Sequence, residues 1–192
     1  ELVRVDGLRR AGRVDALKQA EALRAEVEAA DHRPLEVEWR QLVGSLAARP
    51  GSYERAEAEL GRVYRDAGAI GADEVAAAAA VQLVKVVGVD RARAAQGEQW
   101  ALSAEVLVAR LGQERGLVGA DLLGNRALLA RAQGDYDESI ALHEQALALR
   151  EALLGPAHPD VAATLNHLAN AQRDRGDHAA ALQSLQRALE IR

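Results

Sequence analysis

The sequence leads to an all-α fold, a right-handed α-solenoid of about five antiparallel helix hairpins, and three observations carry that reading. First, residues 120–192 match themselves at an offset of 42: Ala120 falls on Ala162, Leu123 on Leu165, Ala127 on Ala169, Arg131 on Arg173, Gly134 on Gly176, Asp135 on Asp177, Ala146 on Ala188, Leu147 on Leu189 and Arg150 on Arg192. A unit of that length, two helical patterns about a glycine turn, buries its apolar face only by stacking on its neighbours. Second, Gly12, Gly51, Gly97, Gly134 and Gly176 are spaced by 39, 46, 37 and 42 residues. Each is read as the turn of one hairpin, where a left-handed backbone would penalise a side chain by roughly 1 kcal/mol. Third, Ala, Leu, Val and Arg dominate the chain, so the local preference over most windows is helical.

Taken in order, residues 1–30 form a partial hairpin. Glu1–Arg10 ends its first helix and Val14–Ala30 forms its second, with Ala16, Ala20, Leu23, Val27 and Ala30 on one stripe. Pro34 starts the second hairpin, residues 34–67, which turns at Arg49-Pro50-Gly51-Ser52 with Ser52 as N-cap and carries Tyr53, Ala56, Leu60, Val63 and Tyr64 inward. The third, residues 72–111, is irregular: Asp73–Gln96 reads as one long helix strained at Gly88, the turn falls at Gly97, and Trp100 anchors the core. The fourth and fifth, residues 116–154 and 159–192, turn at Gly134 and Gly176, with Asp135 and Asp177 as caps and Glu138 completing a capping box. The helical pattern still runs at Arg192 and the first residue is Glu1, so residues 1–192 read as a single repeat domain cut from a larger chain.

The 192 residues hold 24 basic and 29 acidic side chains, a net charge of −5, with the two signs interspersed. A nucleic-acid footprint would need a basic stripe, and none is present. The most apolar run, Val75–Val89, is interrupted by Gln82 and Lys85 and is too short to span a bilayer. There is no cysteine, which removes disulfides and thiolate chemistry. These features do not fix the compartment, and a cytoplasmic setting is the default expectation.

Motifs for catalysis fail one by one. His143-Glu144 opens a zincin pattern, but Leu147 stands where the second histidine would have to be. No G-x-S-x-G elbow occurs, and the five histidines include no i, i+4 pair that would hold a metal on one helix face. The chain is read as a non-enzyme without metal or cofactor.

Hairpins four and five resemble tetratricopeptide repeats. The joining stretch Leu149–Ala162, with Gly155-Pro156-Ala157-His158-Pro159, resembles the 42-residue variety of kinesin light chains and bacterial signalling proteins. The fifth carries Leu165, Leu168 and Ala169 in its first helix and Ala181, Leu185 and Ala188 in its second; the fourth departs where Arg126, Ser139 and His143 replace apolar residues. Looser units followed by clean repeats resemble the C-terminal regions of large bacterial Ser/Thr protein kinases. The resemblance implies a scaffold that binds a peptide or partner protein on a concave face lined by the first helices. Asn125, Arg131, Asn166, Asn170 and Arg173 would be its contacts, since an amide serves a peptide backbone in both senses and a guanidinium forks onto a carboxylate. It also allows self-association through the solenoid ends. An alternative from another class is a small-ligand sensor with a pocket near the irregular third hairpin and Trp100.

Overall fold

In the computed structural model, which describes Gly7 and residues 15–191, the described residues form helices joined by short turns. Apart from Gly7, which is helical, the first helix expected before residue 15 and its glycine turn lie outside the described residues. The stripe expected of the following helix is split between α1 (Ala16–Ala22) and α2 (Arg24–Ala29), which break at Leu23. Ala16, Ala20, Leu23 and Val27 are buried and Ala30 is exposed.

The second hairpin is α3 (Arg33–Ala47) and α4 (Tyr53–Ala69). His32, not a serine, caps α3: its Nδ1 accepts from the Leu35 N–H at 3.2 Å. Ser52 occupies the N-cap position of α4, but its hydroxyl makes no capping bond, contrary to the expectation for that residue. The large anchor of the N-terminal end is Trp39, 3% exposed, whose indole N–H donates to the Ala20 carbonyl at 2.6 Å. That bond ties α3 to α1 across 19 residues. Trp39→Phe is therefore expected to lower the denaturation midpoint by an amount worth about 1 kcal/mol, the net worth of one hydrogen bond, because the Ala20 carbonyl loses its indole partner and keeps the Leu23 N–H at 3.3 Å.

The third hairpin corrects two expectations. The long helix ends at Asp90, running as α5 (Asp73–Leu83) and then as a π-helical segment (Val84–Asp90), and α6 (Ala94–Arg110) begins after it. Gly97 sits inside α6, so it does not make the turn; Ala92, at φ 53°, takes the left-handed position. Gly97 instead lets two helices touch. A Cβ built there would lie 2.5 Å from Gly88 Cα, and one built on Gly88 would lie 3.0 Å from Gly97 Cα. Trp100 is half-buried, edge-on to Tyr64 with ring centroids 5.1 Å apart, and packs against two apolar clusters rather than filling one.

The last two hairpins follow the sequence closely: α7 (Leu117–Gln133) with α8 (Tyr136–Leu154), and α9 (Pro159–Arg175) with α10 (His178–Glu190). Gly134 and Gly176 close their first helices at φ 88° and 98°, backbone that only glycine adopts at no steric cost. Asp135 caps α8, accepting from the Glu138 N–H at 3.2 Å. Asp177, expected to do the same for α10, does not; Arg175 takes its carboxylate. In α10, Ala181 and Ala188 are buried as expected, but Leu185 lies on the outer side, 46% exposed.

Each helix packs on its predecessor and its successor, and the first helices also touch one another, α3 on α5, α5 on α7 and α7 on α9. That second set of contacts makes the first helices a continuous layer, which is what positions the candidate face.

Candidate partner-binding face

The layer of first helices is stitched by polar bonds that run from one hairpin to the next. The Ser45 hydroxyl donates to Gln82 Oε1 at 2.8 Å, joining α3 to α5. Asn125 Nδ2 donates to the Val81 carbonyl at 2.8 Å, joining α7 to the last turns of α5 just before the π-helical segment. Arg131 Nε donates to Asp174 Oδ2 at 2.7 Å, joining α7 to α9. Arg150 reaches in from α8, bonding Asp121 at 2.5 Å and the buried Thr164 hydroxyl.

These bonds divide the five residues singled out by the sequence. Asn125 donates within the layer to a carbonyl and Arg131 to a carboxylate, so their polar groups hold neighbouring hairpins in register. Asn166 and Asn170 are half-exposed on α9, and their side chains hydrogen-bond no other group among the described residues. Among the described residues nothing occupies their amides, which can donate and accept. Arg173 is exposed and shares Asp174 with Arg131, at 3.1 Å through its Nη2. The hydrogen bond from Arg131, then that from Arg173, holds the Asp174 carboxyl below its usual pKa of 3.8. The pair Arg131–Asp174 is thus a fixed ion pair of the wall, and Arg173 keeps its remaining donors outward.

His167, which carries no motif in the sequence, lies on the exposed side of α9 between Asn166 and Asn170. Its ring stacks on that of His143 from α8, with centroids 5.8 Å apart and planes 10° from parallel. His143 is 1% exposed. Among the described residues neither of its ring nitrogens has a hydrogen-bond partner, nor does the hydroxyl of Ser139 one turn earlier. Burial, followed by the charges of His167, Arg150 and Arg131, drives the His143 pKa from 6.5 down to about 3, so the ring is neutral at pH 7. Burial against its neighbours, then Arg150, Lys85 and Arg131, lowers His167 as well, although part of its ring meets solvent. The sequence signal for this pair is the departure of Ser139 and His143 from the apolar pattern of the repeat.

The arrangement offers hydrogen bonding and charge. Among the described residues, no three His, Asp or Glu side chains gather to hold a metal ion. Also among the described residues, no helix is long and apolar enough to cross a membrane.

A stack of helix hairpins whose first helices form one polar-stitched layer defines a helical-repeat solenoid, and residues 120–192 of it match the tetratricopeptide repeat family model. None of the curated proteins matches the chain. Among solved structures, BtubC (BKLC) from P. vanneervenii superposes with a TM-score of 0.67 at 23% identity, covering 97% of this chain and 76% of that one. A protein of nearly identical TPR-like repeats from Podosopora anserina, named after kinesin light chain, gives 0.65 at 18% identity, covering 99% of this chain and 92% of its own. A single-substitution variant of that protein gives 0.68 at 17% identity with the same coverage. At these identities the likeness is one of fold. Tetratricopeptide repeats are in general protein–protein interaction scaffolds and typically non-catalytic.

Proposed function

We propose that the chain binds an extended peptide segment of a partner protein along the layer of first helices, the concave face of tetratricopeptide repeats, with α9 as the centre of recognition. One observation carries this reading: Asn166 and Asn170 stand one turn apart with amides that meet no partner among the described residues, while Arg131, Arg150, Thr164 and Asp174 around them are already paired within the wall. Amides at i, i+4 on one helix face can each serve a peptide group of an extended strand in both senses. Arg173, one turn further with Nη donors to spare, is placed for a carboxylate on that segment. The role that goes with this surface is regulatory or assembly work in a larger bacterial signalling protein of the cytoplasm, with parentage among Ser/Thr kinases as the resemblance suggests. Peptides selected from a displayed library against the intact chain should lose about tenfold or more in affinity to Asn166→Ala/Asn170→Ala, the expected loss of two neutral hydrogen bonds. Equal binding by the double variant would sink the assignment.

A second reading, a small-ligand sensor, is favoured by a cavity of about 580 Å³ between α6, α7 and α8. Val108, Ala109, Leu122, Leu123, Ala148 and Leu149 give it apolar walls, and the ion pair of Glu105 with Arg126 stands at its edge. Its volume is within the roughly 300–1,000 Å³ of small-molecule sites. It belongs to the second helix of the third hairpin but not to Trp100, which does not line it. On this reading amphipathic small molecules raise the melting temperature and Ala148→Phe, which fills the space, abolishes the shift; a screen with no shift in the wild type removes it.

A further inference from the structure

The 42-residue register reaches back into the third hairpin. Ala92, Gly134 and Gly176, the left-handed residues of the last three hairpin turns, follow one another at that spacing. Shifted by 42, α7 (Leu117–Gln133) falls on α9 (Pro159–Arg175). The small inward residues of the second helices agree: Gly97, Ser139 and Ala181 are buried, as are Ala104, Ala146 and Ala188. The α6–α7 seam is therefore the α8–α9 seam one repeat earlier.

What fills the two seams differs. Between α8 and α9, Leu147 packs against the cluster that Leu168 forms with Ile140 and Ala171. The residues 42 positions before Leu147 and Leu168 are Glu105 and Arg126, and these form an ion pair, with Arg126 also 3.8 Å from Glu138 of α8. An apolar contact of the repeat has become a charged one, and the cavity of about 580 Å³ lies against it. Glu105 and Arg126 both line that cavity, among Val108, Leu122, Leu123 and Leu149. Apolar walls fill with an apolar body, while a single placed polar pair orients whatever enters.

The pair selects the head group. Arg126 already faces two carboxylates, Glu105 and Glu138, so a carboxylate on the ligand would be a third. An ammonium would contend with Arg126 for Glu105. Either brings into an apolar space a charge that has no partner of its own, which is costly. A carboxamide suits both sides at once, since its NH2 donates to the Glu105 carboxylate and its carbonyl accepts from the guanidinium. Resting on the small-ligand reading of this cavity, we propose that it takes a small molecule with an apolar body and a carboxamide head held across the Glu105–Arg126 pair.

The test uses the intact chain at pH 7 and the uncharged fluorescent probe N-phenyl-1-naphthylamine, whose binding Ala148→Phe should abolish. Octanamide, octanoate and octylammonium, which share one chain and differ in the head, then compete for it. Octanamide is expected to displace the probe with a dissociation constant of about 1 mM or tighter, and the two charged heads to be weaker by about tenfold or more. Glu105→Gln, which keeps the shape and releases Arg126 from its nearer carboxylate, should raise the affinity for octanoate by about fivefold or more and lower that for octanamide. Glu105→Leu/Arg126→Leu installs the residues of the next seam; it should keep the melting temperature and lose octanamide. A probe that does not bind, or that binds Ala148→Phe equally well, removes the small-ligand reading and the head-group assignment together. A probe that binds in the cavity but is displaced by none of the three, or by all three alike, overturns the head-group assignment alone. So does an order of affinities that Glu105→Gln leaves unchanged, or octanamide binding that survives the double leucine variant.

Discussion

Gly97→Ala is expected to destabilise the chain by about 3 kcal/mol, near the top of the usual range for overpacking, although alanine is the better helix former by roughly 1 kcal/mol. The added methyl would lie 2.5 Å from Gly88 Cα, 3.2 Å from Gly88 N and 3.2 Å from a methyl of Leu129. Two of those three atoms are backbone, so relief requires α6 to move off the π-helical segment against the buried Val84, Val86 and Val87. Gly88→Ala should cost less, because its nearest obstacle, at 2.8 Å, is the Leu129 Cδ1 methyl, which can rotate. Gly68→Ala is the control: it lies inside α4 and a Cβ there meets nothing within 4 Å, so a gain of up to about 1 kcal/mol is expected. Urea denaturation of the three variants at neutral pH checks the order. A Gly97→Ala chain as stable as the wild type would show that the close approach of the two helices is not part of the fold.

The same glycine explains why the third hairpin departs from its sequence expectation. Glycine marks both a left-handed turn and a close helix contact, and local sequence does not separate the two; at Gly134 and Gly176 the first holds, at Gly97 the second. The true turn carries Ala92 at φ 53°, a residue with no turn signature. The repeats themselves were legible because each position of the 42-residue unit is constrained by neighbours of the same kind. In α10 Leu185 holds an inward repeat position, yet among the described residues no hairpin packs on its face. For the candidate face, residue type pointed to amides and guanidiniums, but whether each was free depended on groups far along the chain. Asn125 is consumed by a carbonyl 44 residues away and Arg131 by a carboxylate 43 residues away, whereas Asn166 and Asn170 meet no such partner among the described residues.

His143→Leu is expected to stabilise the chain at pH 7 by about 1–3 kcal/mol, the cost of leaving a buried polar group unsatisfied. Leucine is the residue the repeat itself places there, as Leu185 shows one unit on, and Ser139→Ala, matching Ala181, should add to the gain by removing a hydroxyl with no partner among the described residues. The larger effect is in acid. The folded ring titrates at about 3 instead of 6.5, so between those values the unfolded chain binds the proton and the folded chain does not. Stability then falls as the pH drops below about 6.5, with a slope of up to about 1.4 kcal/mol per pH unit from this one side chain. His167, lowered in the same direction, adds to that slope, and its stack with His143 means that protonating either ring opposes protonating the other. Asp174 acts elsewhere: its depressed pKa stabilises above 3.8 and is lost only at lower pH. Denaturation of wild type and His143→Leu at pH 7.5, 6, 5 and 4.5 should therefore give curves that diverge steadily as acid is added, the variant's being the flatter. Parallel curves would mean that His143 is charged inside the fold, and the interface between the fourth and fifth hairpins would then have to hold a partner for it.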